Sequence, residues 1–214
     1  MTPFIPPLMR SGPQRLSPTD VDAFARRTGW IDDDAVIHAE SSSVDCLALP
    51  WWPGVDLLVA RDPGWSGAAP VAAWLRDKHL HRLTGESRPI HTMNARLRPQ
   101  IDDATVLPYL GFFCLFVSGK DGPFIILEAP EDAAHIGATI DPQLRAKLQP
   151  ARIVARQDDG HRCEAAVWFG DDLFQSHFLV RAEGTVEMVD DQVLAKNIGR
   201  CDITYRFTAG TAAA

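Results

Sequence analysis

Residues 109–127 read YLGFFCLFVSGKDGPFIIL, the most apolar stretch of the chain, broken in the middle by SGKDG. How this stretch is read decides the fold. A membrane-crossing helix needs about 20 consecutive apolar residues. The two apolar runs, 109–117 and 123–127, are each far shorter, and Lys120 and Asp121 lie between them. A phosphate-cradling loop of the GxxxxGK[ST] kind needs a glycine five positions before its Gly-Lys pair and a hydroxyl residue after it. Cys114 and Asp121 stand in those places. The reading that remains is a β-hairpin, two β-rich runs reversed through Ser118–Pro123. Neither run alternates polar with apolar residues, so both strands are expected to be covered on two faces.

The chain has 214 residues, enough for one domain with a substantial core. Hydrophobic residues make up 46% and charged residues 23%, a balance that excludes wholesale disorder. The formal charge of −7 argues against a nucleic-acid partner, because phosphate binding needs concentrated lysine and arginine. No basic amphipathic segment offers a hold on an anionic membrane. No charged N-terminal stretch leads into an apolar run, so a cytoplasmic, reduced protein is expected. The cysteines, at 46, 114, 163 and 201, are far apart with no CxxC pair. Cys114 and Cys163 sit inside apolar runs and read as small hydrophobes.

Residues 1–18 carry five prolines and read as an extended Pro-rich arm. One α+β domain is expected over 19–208, with a flexible tail at 209–214. A first helix begins at Ser17 or Thr19, which can cap it, and Gly29 stops it. A short strand is expected at 55–60, and a second helix over 69–78 with Pro70 in its first turn. Beyond residue 105 the pattern turns to antiparallel strands at 151–157, 162–169 and 173–181, a turn at Glu183-Gly184, a short strand at 185–189 and a last strand at 202–207, with a short helix around 142–148. The aspartate pairs at 158–159, 171–172 and 190–191 read as turns. Helices followed by a long meander predict an α+β fold. Two or three helices would pack on a curved, largely antiparallel β-sheet, with the meander in residues 106–207. That order is similar to the cone-shaped plan of cystatin-like and steroid-isomerase-like folds, which implies a helix-covered concave face and no particular activity.

The densest polar chemistry is HLHRLTGESRPIHTMN, residues 79–94. In a strand, His79 and His81 share a face, the arrangement by which HxH offers two ligands to a divalent metal, with Glu86 and His91 completing a set. HxHx4E resembles the first metal-binding motif of the cupins. Its flanking glycines are replaced here by Ala73 and Met93. The competing reading is a helix end with solvated histidines. No complete cofactor fingerprint occurs, so no cofactor is predicted apart from such a metal. Ser87 lies in GESRP, which lacks the second glycine of a nucleophile elbow.

Glu164 and His177 fall on the less apolar sides of neighbouring strands. Lining a covered cavity with Trp168, they would make a carboxylate-tuned general base. Facing water, they are an ordinary cross-strand pair. Trp51 and Trp52, with Trp30 and Trp65, are either an exposed recognition surface or a plug at the end of the sheet. These readings predict a non-catalytic domain that binds a protein partner or itself. The alternatives are a small-molecule-binding or enzymatic cone-like domain, and a metal site in the histidine segment.

Overall fold

A computed structural model of the protein describes residues 9, 12–28, 35–67, 70–136, 140–200 and 203. Trp30, Asp32–Asp34, Cys201, the tail at 209–214 and all of the expected 202–207 strand except Ile203 lie outside the described residues.

The end of the N-terminal arm is already structured. β1 (Gln14–Arg15) pairs with a later strand, and α1 (Pro18–Thr28) follows. Ser17 opens α1 as a reciprocal cap: the Asp20 N–H donates to Ser17 Oγ at 3.2 Å, and Ser17 Oγ donates to the Asp20 carboxylate at 2.6 Å. β2 (Ser43–Ala48), β3 (Asp56–Arg61), β4 (Ala72–Arg76) and β5 (Leu80–Arg82) complete a five-stranded antiparallel sheet in the order β1-β2-β3-β4-β5.

The helix expected over 69–78 is therefore a strand. Residues 72–75 are buried on successive positions between β3 and β5, Ala72 and Trp74 in the cluster with α1 and Ala73 and Leu75 in the main core. A short apolar run without periodicity suits a two-face-buried strand as well as a buried helix. Here the ladder to β3, from Asp56↔Arg76 to Ala60↔Ala72, decides the matter. α1 covers one face of this sheet, with Phe24 edge-on to Trp74 at 5.0 Å.

Two helices come next. α2 (Arg88–Leu97) starts with Pro89 in its first turn and buries Ile90, Met93 and Asn94. α3 (Val106–Phe116) replaces the first strand of the expected hairpin, and it is buried almost all round. The stretch reads as a strand because it lacks any polar stripe, yet a helix that is apolar on every side is what the centre of a core accepts. Its start is set from outside the apolar run. Asp102 Oδ1 accepts the N–H groups of Ala104 and Thr105 at 2.9 and 3.0 Å, and Thr105 Oγ1 accepts the Asp102 N–H at 2.8 Å. The reversal at 118–123 survives only as a tiny hairpin of β6 (Ser118–Gly119) and β7 (Gly122–Pro123).

The second sheet contains β8 (Ile125–Ile126), β9 (Arg152–Gln157), β10 (Gly160–Phe169), β11 (Asp172–Arg181) and β12 (Val186–Ala195). Two 3₁₀ segments, Pro130–Ile136 and Pro142–Lys147, link β8 to β9. The order is β12-β11-β10-β8, with β9 beside the other half of β10. Asp190 and Asp191 do not form a turn. They lie within β12, opposite His177 and Ser176, and a register shift beside Phe178 absorbs the extra residue. As an edge strand, β12 tolerates charges that a central strand would reject.

The class is thus mixed α and antiparallel β, but among the described residues the single curved sheet becomes two five-stranded sheets, not strongly curled, and the separate β6-β7 hairpin. One core contains Leu57, Val59 and Leu75 of the first sheet, α3, and Val167, Trp168 and Phe178 of the second. Among the described residues no helix is long and apolar enough to cross a membrane.

Candidate functional site

Glu164 and His177 stand directly opposite each other on β10 and β11. His177 Nε2 lies 3.5 Å from Glu164 Oε2, while Arg152 Nη2 donates to both Glu164 oxygens at 3.1 Å. With Asp190 opposite His177, the four side chains form a polar row across β9, β10, β11 and β12. His177 is 38% exposed and Arg152 66%, so the row faces water. Trp168 is buried in the core, and its indole N–H donates to the carbonyls of Gly170 and Gly199 at 3.1 and 3.0 Å.

The histidine segment is divided. Asp77 gathers it: the His79 N–H donates to Asp77 Oδ1 at 2.7 Å, His81 Nε2 lies 3.3 Å from the same oxygen, and Arg96 binds the other oxygen. Burial pushes the Asp77 carboxyl up, but the His79 N–H, Arg96 and His81 outweigh it and hold the carboxyl below its ordinary range. Arg96 Nη2 also comes within 3.5 Å of His81 Nε2, a cation where a metal ligand set would need an open face. Glu86 is exposed ahead of α2, and His91 packs against the Phe113 ring at 5.8 Å. Among the described residues no three His, Cys, Asp or Glu side chains are grouped to hold a metal ion.

Trp51 and Trp52 are wholly buried and take the plug role. Their rings meet Tyr109 and Phe112 of α3 at 5.3 to 6.3 Å.

A different place collects polar groups at a cavity. α2 carries His91 and Asn94, and Arg98 closes it at φ 51° with its N–H donating to the Asn94 carbonyl at 2.9 Å. Facing them is the β11–β12 connection, Ala182, Glu183, Gly184 and Thr185, which turns at Gly184 (φ 84°). The cleft between them has a volume of about 610 Å³. The Gly184 carbonyl accepts the Tyr109 hydroxyl at 2.6 Å and Asn94 Nδ2 at 3.2 Å, and Nδ2 also donates to the Tyr109 oxygen at 2.8 Å. Because the Gly184 carbonyl can only accept, the Asn94 amide must present Nδ2 to it. Asn94 Oδ1 is left buried with no hydrogen-bond partner, although Asn94 lines the cleft and is only 5% exposed. Burial raises the Tyr109 phenol far above its ordinary value; the Asn94 bond opposes this and the Glu183 charge adds to it.

Of the residues singled out from sequence, only His91 lines this cleft. Asn94 was legible in one respect: it interrupts the apolar stripe Ile90, Met93, Leu97 at helical spacing. Nothing local ties it to Gly184, 90 positions away. No protein-family model, curated protein or solved structure matches the chain.

Proposed function

We propose that the protein is a binding protein that takes a small molecule into the cleft between α2 and the β11–β12 connection. The observation that carries this reading is Asn94 Oδ1. An unpaired buried acceptor costs roughly 1–3 kcal/mol, a cost that a ligand donor would relieve. The cavity volume falls within the range typical of small-molecule sites, about 300–1,000 Å³.

The test is a fragment screen followed by amide chemical-shift mapping. Ligands are expected to perturb residues 91–98 and 182–185 together, and Ala95→Trp, which fills the cleft from its α2 side, should remove those shifts. Hits that perturb only other regions would overturn the reading.

A second reading, self-association, is supported by the β12 edge. Met188, Val189 and Val193 are large apolar side chains exposed on a ten-residue strand that pairs on one side only among the described residues. A long exposed edge of this kind is a template for another strand. Light scattering across a concentration series tests it, and a monomer at the highest concentration would exclude it.

A further inference from the structure

We infer that the cleft selects an amine: a small molecule with an ammonium head on an apolar body. This rests on the binding role proposed for the cleft and goes on to the ligand's chemical class. Three sources of negative potential converge there. The first is Asn94 Oδ1, buried and without a donor. The second is the Glu183 carboxylate, an exposed side chain that lines the cleft. The third is the C-terminal end of α2, where the last-turn carbonyls carry about half a negative charge.

The groups that oppose a cation are Arg98 and His91. Arg98 is an exposed side chain on a long stem, free to turn its charge to water. His91 is engaged ring to ring with Phe113. Ala95, Pro99 and Ala182 line the rest of the cleft and offer hydrocarbon contact for the body of the ligand. A carboxylate head would meet Glu183 and the helix end repulsively, and an alcohol would satisfy Asn94 but leave Glu183 without a charged partner. Asn94 Oδ1 is buried, so contact with the ligand head requires the cleft wall to open at Asn94.

The experiment compares three probes of one shape, 4-phenylbutylamine, 4-phenylbutan-1-ol and 4-phenylbutanoate, by amide chemical-shift titration of the whole chain. The amine is expected to shift residues 91–98 and 182–185 and to bind about tenfold tighter than the alcohol, the scale of one additional charge-assisted contact. Glu183→Gln should collapse that preference to about twofold or less, and Ala95→Trp should abolish the shifts from the amine. An alcohol or carboxylate that binds the cleft as well as the amine overturns the amine class and leaves the cleft as a binding site. If none of the probes shifts these residues, both the class and the binding role of the cleft fall.

Discussion

The Tyr109 hydroxyl donates to the Gly184 carbonyl at 2.6 Å and so fastens the β11–β12 connection to the central helix across 75 positions of sequence. A Cβ built on Gly184 would lie 2.5 Å from Asn94 Nδ2 and 2.7 Å from the Tyr109 oxygen, and the residue sits at φ 84°. Gly184→Ala is therefore expected to destabilise the protein by at least about 2 kcal/mol, combining left-handed backbone strain with a clash. Tyr109→Phe should cost less, about 1–2 kcal/mol, because Asn94 still donates to the carbonyl. Urea midpoints at neutral pH give both values, and equal costs for the two variants would contradict the arrangement.

Trp51 packs against Tyr109 and Phe112, yet its indole nitrogen is buried without a partner. Trp51→Ala should lose about 3–5 kcal/mol as a cavity opens. Trp51→Phe keeps a ring in place and removes an unpaired N–H, so its cost is expected to be well under half of that. Calorimetric unfolding of the two variants separates packing from hydrogen bonding at this position.

Asp62 supplies a pH dependence. Burial pushes its carboxyl up, but the hydroxyls of Ser41 and Ser42 donate to it at 2.6 and 2.7 Å and the Gly64 N–H donates at 2.7 Å. With His38 nearby, these bonds hold the folded pKa below the ordinary 3.8. A lowered folded pKa contributes stability that is present above the unfolded value and is lost as pH falls through the folded one. Asp62→Asn should therefore lower the urea midpoint at pH 6. Over the interval below about pH 4 the wild-type advantage should shrink as the carboxylate takes up its proton. An advantage that stays constant over that interval would rule out the charged carboxylate as its source.

The thiols should divide by burial. Cys114 and Cys163 are buried and their pKa values are raised by that burial, Cys163 to about 12. Cys46 is half-buried; burial and the Asp56 charge raise its pKa, and Arg76, with Nη2 3.3 Å from the sulfur, opposes them. In a Cys201→Ser background, a thiol reagent at pH 8 should label Cys46 slowly in the native protein, and Cys114 and Cys163 only after unfolding. Native labelling of Cys114 would mean that α3 is not enclosed as described.

By itself the sequence determined the elements whose signals are local. α1 was legible from its cap and its Val21 and Phe24 stripe, β3 from its apolar run, and β9, β10 and β11 from alternation bounded by Asp-Gly and Gly-Asp-Asp turns. The turn at Glu183-Gly184 was legible too. Only tertiary structure decided the state of the continuous apolar runs. VAAWL became strand and VLPYLGFFCLF became helix, because burial on every side erases the periodicity that distinguishes the two. The same holds for the candidate site. Trp51 and Trp52 drew attention by composition and went to the core, while Asn94, an unremarked polar residue in a helix stripe, became the unpaired acceptor at a cleft. Its significance depends on a carbonyl 90 positions away, and a contact of that separation leaves no trace in local spacing.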